Sequence, residues 1–135
     1  MGVAKRVEIS VSTSRRNEFV DITEKVISVV EESGVKDGYV YLYVPHTTAA
    51  VTINENYDPS VQRDIIDKLS ELVPYGAGYA HTEGNADSHI KSTIVGVSEY
   101  IPVVEGHIQL GRWQGIFFCE FDGPRSRRLL IEIID

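Results

Sequence analysis

Near the start of the chain, apolar and polar residues alternate as they do along a half-buried strand. The alternation covers residues 5–12 and places three branched aliphatic side chains on one face. Residues 13–15 are typical of a turn, and residues 18–22 are predicted to form the returning strand. The chain is therefore expected to begin with two strands.

Three later segments carry apolar residues at the spacing of an amphipathic helix. The first begins at Asp21 or Thr23 and stops at Gly34. The second begins at Asp58-Pro59, an N-cap acid followed by proline, and the third begins with Asp87 as its N-cap. The apolar stripes predicted to face the core are Ile22, Val26, Val29 and Val30, then Val61, Ile65, Leu69 and Leu72, then Ile90, Ile94 and Val97.

Five further segments are rich in β-branched and aromatic residues, which predicts strands. They cover residues 39–44, 47–53, 99–104, 114–121 and 128–134, with a turn at Asp122-Gly123-Pro124 between the last two. Pro102 makes the third of these an edge strand or a broken one. The predicted order is ββα-ββ-αα-βββ. Strands grouped in runs favour a single α+β domain over residues 1–135, with a mainly antiparallel sheet and about three helices.

The charge balance narrows the functions that such a domain can have. The chain has 135 residues and a formal net charge of −7, which argues against a general nucleic-acid binder but leaves room for a local basic pocket. Its single cysteine, Cys119, excludes an internal disulfide and a cysteine-based zinc site, and its apolar neighbours predict burial. No apolar stretch is long enough to span a membrane and no signal-peptide core is found, so we expect a cytoplasmic protein.

Three of the four histidines lie in polar motifs that a core would not choose. His46 opens the motif His-Thr-Thr-Ala, and His81 and His89 flank a glycine-containing loop. If Asp87 is the N-cap, His89 lies in the first helical turn, where a neutral imidazole can ligate a metal or donate to a phosphate. We therefore expect the three histidines to converge on one pocket, whereas His107 is interpreted as a structural histidine at the end of a strand. Candidate ligands for a divalent metal, Mg²⁺ or Zn²⁺, are His46, His81, His89 and Asp87.

The alternative interpretation of this motif is a set of solvated helix caps. Two histidines eight residues apart match no standard zinc signature, and the His-Glu-x-x-His motif is absent from the sequence. The spacing alone therefore leaves a metal site and a solvated loop both open.

Two further motifs offer recognition of phosphate and of an aromatic ring. Arg125, Arg127 and Arg128 follow the 122–124 turn of an otherwise acidic chain, and guanidinium groups bind phosphate in a bidentate manner. The alternative is that these arginines pair with Glu120 or with surface acids. Alternation along the strand places Arg125 and Arg127 on one face and Arg128 on the opposite face. Trp113, followed by Gln114, is either a core anchor or a stacking wall for a heteroaromatic ligand.

Taken in order, six motifs of the chain resemble the YjbQ-like family, an uncharacterised family of small proteins described as secondary thiamine-phosphate synthases. Each motif alone is weak, but all six in order are highly specific. They are His46-Thr47-Thr48-Ala49, Asn54-Glu55, Asp58-Pro59, the loop from His81 to His89, Gly111-x-Trp113-Gln114 and Asp122-Gly123-Pro124-Arg125-x-Arg127.

The resemblance implies an α+β fold assembled as a homotrimer, with the polar motifs in a pocket near the subunit boundaries. It also implies a transferase that joins a pyrimidine-methyl pyrophosphate to a thiazole phosphate and releases pyrophosphate. That activity is a secondary one in the family, which leaves the native substrate open. The candidate catalytic residues are His46, His81, His89 and Glu83, and the candidate substrate and phosphate ligands are Thr47, Thr48, Asn54, Asn85, Trp113, Gln114, Arg125 and Arg127.

Three functions therefore stay open from the sequence. The first is the transferase acting on a small phosphorylated heterocycle, which needs no covalent enzyme nucleophile. The second is a metal-dependent hydrolase of a small phosphorylated metabolite that uses the three histidines to activate water. The third is a non-enzymatic trimer that binds a metabolite. None of the three involves a nucleic acid or a membrane.

Overall fold

In the computed structural model, which describes residues 2–135, the alternating and periodic segments form eight strands and three helices. The elements are β1 (Val3–Ser12), β2 (Glu18–Asp21), α1 (Thr23–Ser33), β3 (Gly38–Tyr43), β4 (Ala49–Glu55), α2 (Pro59–Leu72), α3 (Ala86–Val95), β5 (Ser98–Val104), β6 (His107–Ile108), β7 (Gln114–Glu120) and β8 (Ser126–Ile134). The two-residue strand β6 is an addition to the predicted order, and it contains His107.

The strands form two sheets in which every neighbouring pair is antiparallel. The five-stranded sheet has the order β1-β8-β3-β5-β6, and the three-stranded sheet has the order β2-β7-β4. One cluster of buried aliphatic and aromatic side chains joins both sheets and α1. The predicted α+β domain with mainly antiparallel strands and three helices is thus confirmed. The prediction for Pro102 is confirmed only in part: β5 is unbroken over Ser98–Val104, and β6 is the outermost strand, but β6 pairs only with Val103 and Val104.

Consecutive strands pair less often than the sequence predicted. β1 pairs with β8 and β2 pairs with β7, so neither the β1–β2 turn nor the 122–124 turn closes a hairpin. Both turns instead carry the chain from one sheet to the other, side by side. Thr13 N–H donates to Arg125 O at 3.0 Å, and Gly123 N–H donates to Arg16 O at 3.1 Å. A Cβ at Gly123 would lie 2.2 Å from Arg15 O, so only glycine permits this crossing.

The first helix spans the predicted segment and ends at Gly34 as predicted, but its N-cap is Ile22 and neither Asp21 nor Thr23. The Asp21 carboxylate accepts hydrogen bonds from Thr23 N–H at 2.9 Å and from Thr23 Oγ1 at 2.6 Å. Gly34 ends the helix in the left-handed region, with φ of 69°. Val26, Val29 and Val30 are buried, as expected for the inward stripe.

The predicted inward stripe of α2 is wrong. Asp58 caps the helix through Ser60 N–H at 2.9 Å, as predicted, but none of the residues of α2 is buried and Leu72 is 69% exposed. Most of this helix therefore lies on the surface. Only Leu69 packs on a small cluster around Phe117 and Cys119 on the three-stranded sheet.

The predicted inward stripe of α3 is wrong for its two isoleucines, because the helix buries polar residues instead, whereas Val97 beyond the helix end does pack against the core. Ile94 is 60% exposed, whereas Asp87, Ser88, Lys91 and Ser92 are buried. Buried polar groups are tolerated when they are hydrogen-bonded. Ser88 Oγ donates to Phe121 O, and Ser92 Oγ donates to Ala49 O at 2.6 Å. The N-cap is Asn85 rather than Asp87, which lies in the first turn.

None of the helices in residues 2–135 is long and apolar enough to cross a membrane. Cys119 is fully buried, as predicted, and burial raises the pKa of its thiol well above the ordinary value. It is therefore a small core residue and not an activated nucleophile.

Candidate functional site

The polar motifs meet at an open cleft of about 1130 Å³. Four segments form its walls: the loop between β3 and β4, the loop before α3, the face of α3, and the crossing loop between β7 and β8. The lining residues are Tyr43, Val44, Pro45, His46, Thr47, Thr48, Glu83, Asn85, His89, Ser92, Thr93, Gly96, Val97, Asp122, Arg125 and Arg127.

His46 is held in one orientation by the neighbouring strand. Its Nε2 accepts a hydrogen bond from Arg128 N–H at 2.9 Å, so the neutral ring carries its proton on Nδ1. Burial lowers the pKa of His46 below its ordinary value, and the Arg127 and Arg128 charges lower it further. At neutral pH this residue therefore offers an uncharged N–H donor beside the cleft.

A buried ion pair supports the wall beneath Thr48. The Arg127 guanidinium pairs with the Glu120 carboxylate and also donates to Thr48 Oγ1 at 2.8 Å. Burial raises the pKa of Glu120, but hydrogen bonds from Arg127, Asp122 N–H and Thr13 outweigh it, so the net pKa is lowered. Most donors of Arg127 are thus already used, which favours the ion-pair interpretation for this arginine. Thr47, next to this wall, is exposed.

Arg125 is the exposed guanidinium of the cleft. Its side chain is 51% exposed, its Nε donates to Asp122 O at 2.8 Å, and its Nη2 lies 3.3 Å from Asp122 Oδ2. Asn85 Nδ2 donates to the same carboxylate at 2.9 Å, and Asn85 Oδ1 is buried without a partner in residues 2–135. Asp122 therefore orients both the half-exposed Arg125 guanidinium and the Asn85 amide, and the guanidinium suits an anionic ligand.

A charged network behind the cleft was missed by the sequence reasoning. Arg16 lies 2.9 Å from Asp87 Oδ1 and 3.5 Å from Asp122 Oδ1, and its guanidinium sits 4.4 Å from the Tyr75 ring centroid. Lys91 Nζ lies 3.5 Å from Asp87 Oδ2, and burial lowers the pKa of this lysine against the opposing effect of Asp87. The network joins the crossing loops to α3 and fixes the back of the cleft.

The histidines are only partly gathered into the cleft. His46 and His89 both line it, together with Glu83. The His81 ring lies edge-on to the His89 ring, with centroids 5.2 Å apart. His81 itself lines an adjoining hollow of about 440 Å³ with Tyr79, Ala80, Ala86 and Ile90, and His89 separates the two spaces.

The described chain does not by itself present a complete metal site. Residues 2–135 contain no group of three or more His, Cys, Asp or Glu side chains arranged to hold a metal ion. The Asp87 carboxylate is paired with Arg16 and Lys91, and the His46 Nε2 lone pair accepts from Arg128 N–H. The donor set of the described residues therefore does not fit a resident divalent cation.

Three of the candidate binding residues lie away from the cleft. Asn54 and Gln114 are at the far end of the β4–β7 pair, where Asn54 pairs with Gly115 and Glu55 with Gln114. Gln114 Oε1 accepts from Gly111 N–H at 2.7 Å and so closes its own turn. Trp113 packs against Tyr57, with ring centroids 5.1 Å apart, and Arg112 lies over its ring at 4.9 Å. The exposed indole forms part of a separate surface.

The chain is similar to a known family over nearly its whole length. The family described as "UPF0047 protein YjbQ-like" matches residues 7–135. The chain belongs to this family. Within YjbQ-like proteins it is 56% identical to UPF0047 protein MJ1081 of Methanocaldococcus jannaschii over 124 residues, 92% of this chain and 90% of that protein. It is 43% identical to UPF0047 protein YugU of Bacillus subtilis, over 93% of this chain and 96% of that one.

A solved YjbQ/UPF0047 structure supports the same placement. The uncharacterised conserved protein of this family from Clostridium acetobutylicum superimposes with a TM-score of 0.93 and 48% identity. The match covers 95% of this chain and 99% of that one. YjbQ-like membership and the α+β fold of residues 2–135 therefore rest on sequence and structure together, while the family's own description names no specific activity.

Proposed function

We propose that this YjbQ-like protein is a thiamine-phosphate-synthase-like transferase, with the cleft as its active site. The observation that carries the proposal is the convergence of Arg125, His46, His89 and Asn85 on one cleft of about 1130 Å³. Small-molecule sites usually occupy about 300–1000 Å³, so this cleft has room for two phosphorylated ring compounds at once. The two physiological substrates belong to the class of small phosphorylated heterocycles.

The chemistry matches the groups that the cleft offers. The thiazole nitrogen attacks the methylene carbon of the pyrimidine, the carbon–oxygen bond to pyrophosphate breaks, and pyrophosphate leaves with the electron pair. Arg125 is placed to stabilise the charge that grows on the leaving group, and the Nδ1–H of neutral His46 can donate to it. The thiazole is itself the nucleophile, which is consistent with a cysteine that is buried.

We also propose that the active unit is a homotrimer in which the cleft lies near a subunit boundary. Ile90 and Ile94 are exposed and lie one helical turn apart on α3, the helix that also carries the cleft residues His89 and Thr93. Exposed apolar side chains that share one helix face are typical of an interaction site. A neighbouring subunit here would also shield the reacting groups from water.

A product assay tests the transferase directly. The purified protein is incubated with the pyrimidine-methyl pyrophosphate and the thiazole phosphate, and both thiamine phosphate and pyrophosphate are measured. We expect equal amounts of the two products, a large loss of rate in Arg125→Ala, and little change in Arg128→Ala, a matched control that carries the same charge change outside the cleft.

Other outcomes of the same assay would favour the other functions. Phosphate release from a single substrate, lost with a chelator and restored by Mg²⁺ or Zn²⁺, would instead identify a metal-dependent hydrolase. Saturable binding without turnover would identify a metabolite-binding trimer. The cytoplasmic location expected from the sequence stays a prediction under all three functions.

A further inference from the structure

We infer that Tyr43 is the wall on which the heteroaromatic ring of the ligand stacks, a role that the sequence pattern offered to Trp113. The inference rests on the proposed function and adds a ring subsite to its phosphate site. Tyr43 lines the cleft together with His46 and Arg125, and its residue is 38% exposed. Trp113 lies at the far end of the three-stranded sheet and lines no part of the cleft.

The position of Tyr43 follows from the alternation along β3. Tyr39, Tyr41 and Tyr43 are two residues apart, so they share the outer face of the five-stranded sheet, while Val40 and Leu42 enter the core. Tyr43 is the last residue of the strand, at the point where the chain turns into the His46 motif. The row of tyrosines therefore ends at the mouth of the cleft.

Tyr41, the preceding tyrosine of the row, stacks beside the Tyr43 ring. The Tyr41 ring lies 6.4 Å from it with an interplanar angle of 20°, and Tyr41 in turn packs on Tyr100 of β5 at 4.7 Å. Tyr43 thus has an aromatic neighbour on the side away from the cleft. A ring that is already held in place loses little conformational freedom when a ligand stacks on it.

The chemistry of the proposed reaction favours a tyrosine at this point. The face of a phenol ring is electron-rich, and cations bind above such faces. The thiazole nitrogen becomes positively charged as the new carbon–nitrogen bond forms, because it donates its lone pair and loses no proton. A phenol face beside the ring therefore stabilises the cationic product more than the neutral thiazole.

Titration calorimetry with two probes separates the ring subsite from the phosphate site. The probes are thiamine monophosphate, which carries a cationic ring and a phosphate, and inorganic pyrophosphate, which has no ring. We expect Tyr43→Leu to lower the affinity for thiamine monophosphate by about five- to thirty-fold and to change the affinity for pyrophosphate by less than about two-fold. Tyr43→Phe should retain most of the affinity, because the aromatic face is kept.

Two control variants make the result specific to the position. Tyr39→Leu removes another exposed tyrosine of the same row, whose ring packs on Tyr100 and which does not line the cleft, so it should leave the binding of both probes unchanged. Arg125→Ala should weaken both probes. The molecular mass of every variant is measured by light scattering, because a fall in mass for Tyr43→Leu would show that this face is a subunit contact and would overturn the inference.

The remaining outcomes distinguish the inference from the proposed function. If the unmodified protein binds thiamine monophosphate and Tyr43→Leu binds it equally well, the ring subsite is wrong and the proposed function stands. If Tyr43→Leu weakens both probes equally, Tyr43 only supports the fold of the cleft and the inference is also overturned. If the unmodified protein binds neither probe, the proposed function fails and the ring subsite fails with it.

Discussion

The buried ion pair beneath the cleft predicts a large loss of stability when only one partner is removed. Arg127→Met keeps an unbranched apolar stem but leaves the Glu120 carboxylate, which is 0% exposed, without its cation. Glu120 would keep its hydrogen bonds from Thr13 at 2.8 Å and from Asp122 N–H at 3.0 Å, so the loss should be at the lower end of the range for broken buried pairs. We expect the free energy of unfolding to fall by about 3 kcal/mol.

Removing both partners should cost much less than removing one. In Glu120→Leu/Arg127→Met no charge is left buried, and buried pairs can often be replaced by apolar residues at little cost. We expect the double variant to recover at least about half of the loss. Arg128→Met is the matched control, because its pairing with Glu8 at 3.3 Å is exposed and should contribute less than about 1 kcal/mol.

The pH dependence gives the same argument a second test. The pKa of Glu120 is lowered in the folded protein, so its contribution to stability is present above its ordinary pKa of 4.5 and is lost as the pH falls below it. In Arg127→Met the carboxyl stays desolvated without its cation, so its folded pKa should rise above the ordinary value. The difference in the free energy of unfolding between the unmodified protein and Arg127→Met should therefore shrink as the pH falls from 7 toward 5.

Urea unfolding followed by far-ultraviolet circular dichroism measures all of these differences at one fixed protein concentration. A fall of about 3 kcal/mol corresponds to a melting temperature lower by roughly 10 °C for a chain of this size. The reasoning is refuted if Arg127→Met costs less than about 1 kcal/mol, or if the double variant is no more stable than the single one.

Three further predictions concern the cleft and its surroundings. Arg125→Ala should weaken pyrophosphate binding by about 1.5–3 kcal/mol in calorimetry, Arg125→Lys should recover only part of it, and equal losses in Arg128→Ala would indicate a diffuse basic surface. Because the pKa of His46 is lowered in the folded protein, its NMR titration midpoint should lie below 6.5. The unfolded chain therefore takes up the His46 proton first, so the free energy of unfolding should fall as the pH drops below 6.5. Light scattering should give a mass of about 45 kDa, three times that of the 15.1 kDa chain, and Ile94→Asp should lower this mass. A mass of 15.1 kDa for the unmodified protein would contradict the trimer.

The secondary structure could be predicted from the sequence because each element carries a local signal. Asp58-Pro59 and Gly34 mark helix ends through their own backbone preferences, and the strands follow from runs of β-branched and aromatic residues. The pairing of the strands could not be predicted in this way. It depends on the contact of two crossing loops, around Thr13 and Gly123, that are more than a hundred residues apart.

The burial of α2 and α3 was mispredicted for an energetic reason. Periodicity assumes that the apolar face of a helix packs on the core of its own chain. In α3 the polar face is inward, since Lys91 is ion-paired with Asp87 and Ser92 Oγ donates to Ala49 O, while Ile90 and Ile94 are exposed. Nothing local in the sequence distinguishes such a helix from an ordinary amphipathic one.

The candidate site was predicted in part, for reasons of distance along the chain. The His46, Glu83, His89 and Arg125 motifs do meet at one cleft. Arg16 was missed because it is an ordinary loop arginine in the sequence, and only the fold places it between Asp87 and Asp122. Tyr43 was treated as a strand residue, although a strand end beside a polar motif is a signal that could have identified it.

The placement of β8 has a consequence for synthesis of the protein on the ribosome. This strand is the last along the chain, yet it lies between β1 and β3 and contributes Leu129, Ile131 and Ile133 to the core. Until it emerges, β1 and β3 have no shared neighbour, and their unpaired edges are exposed to other chains. The five-stranded sheet must therefore close after translation of residues 126–134, so the open edges of β1 and β3 last for as long as synthesis of that last strand takes.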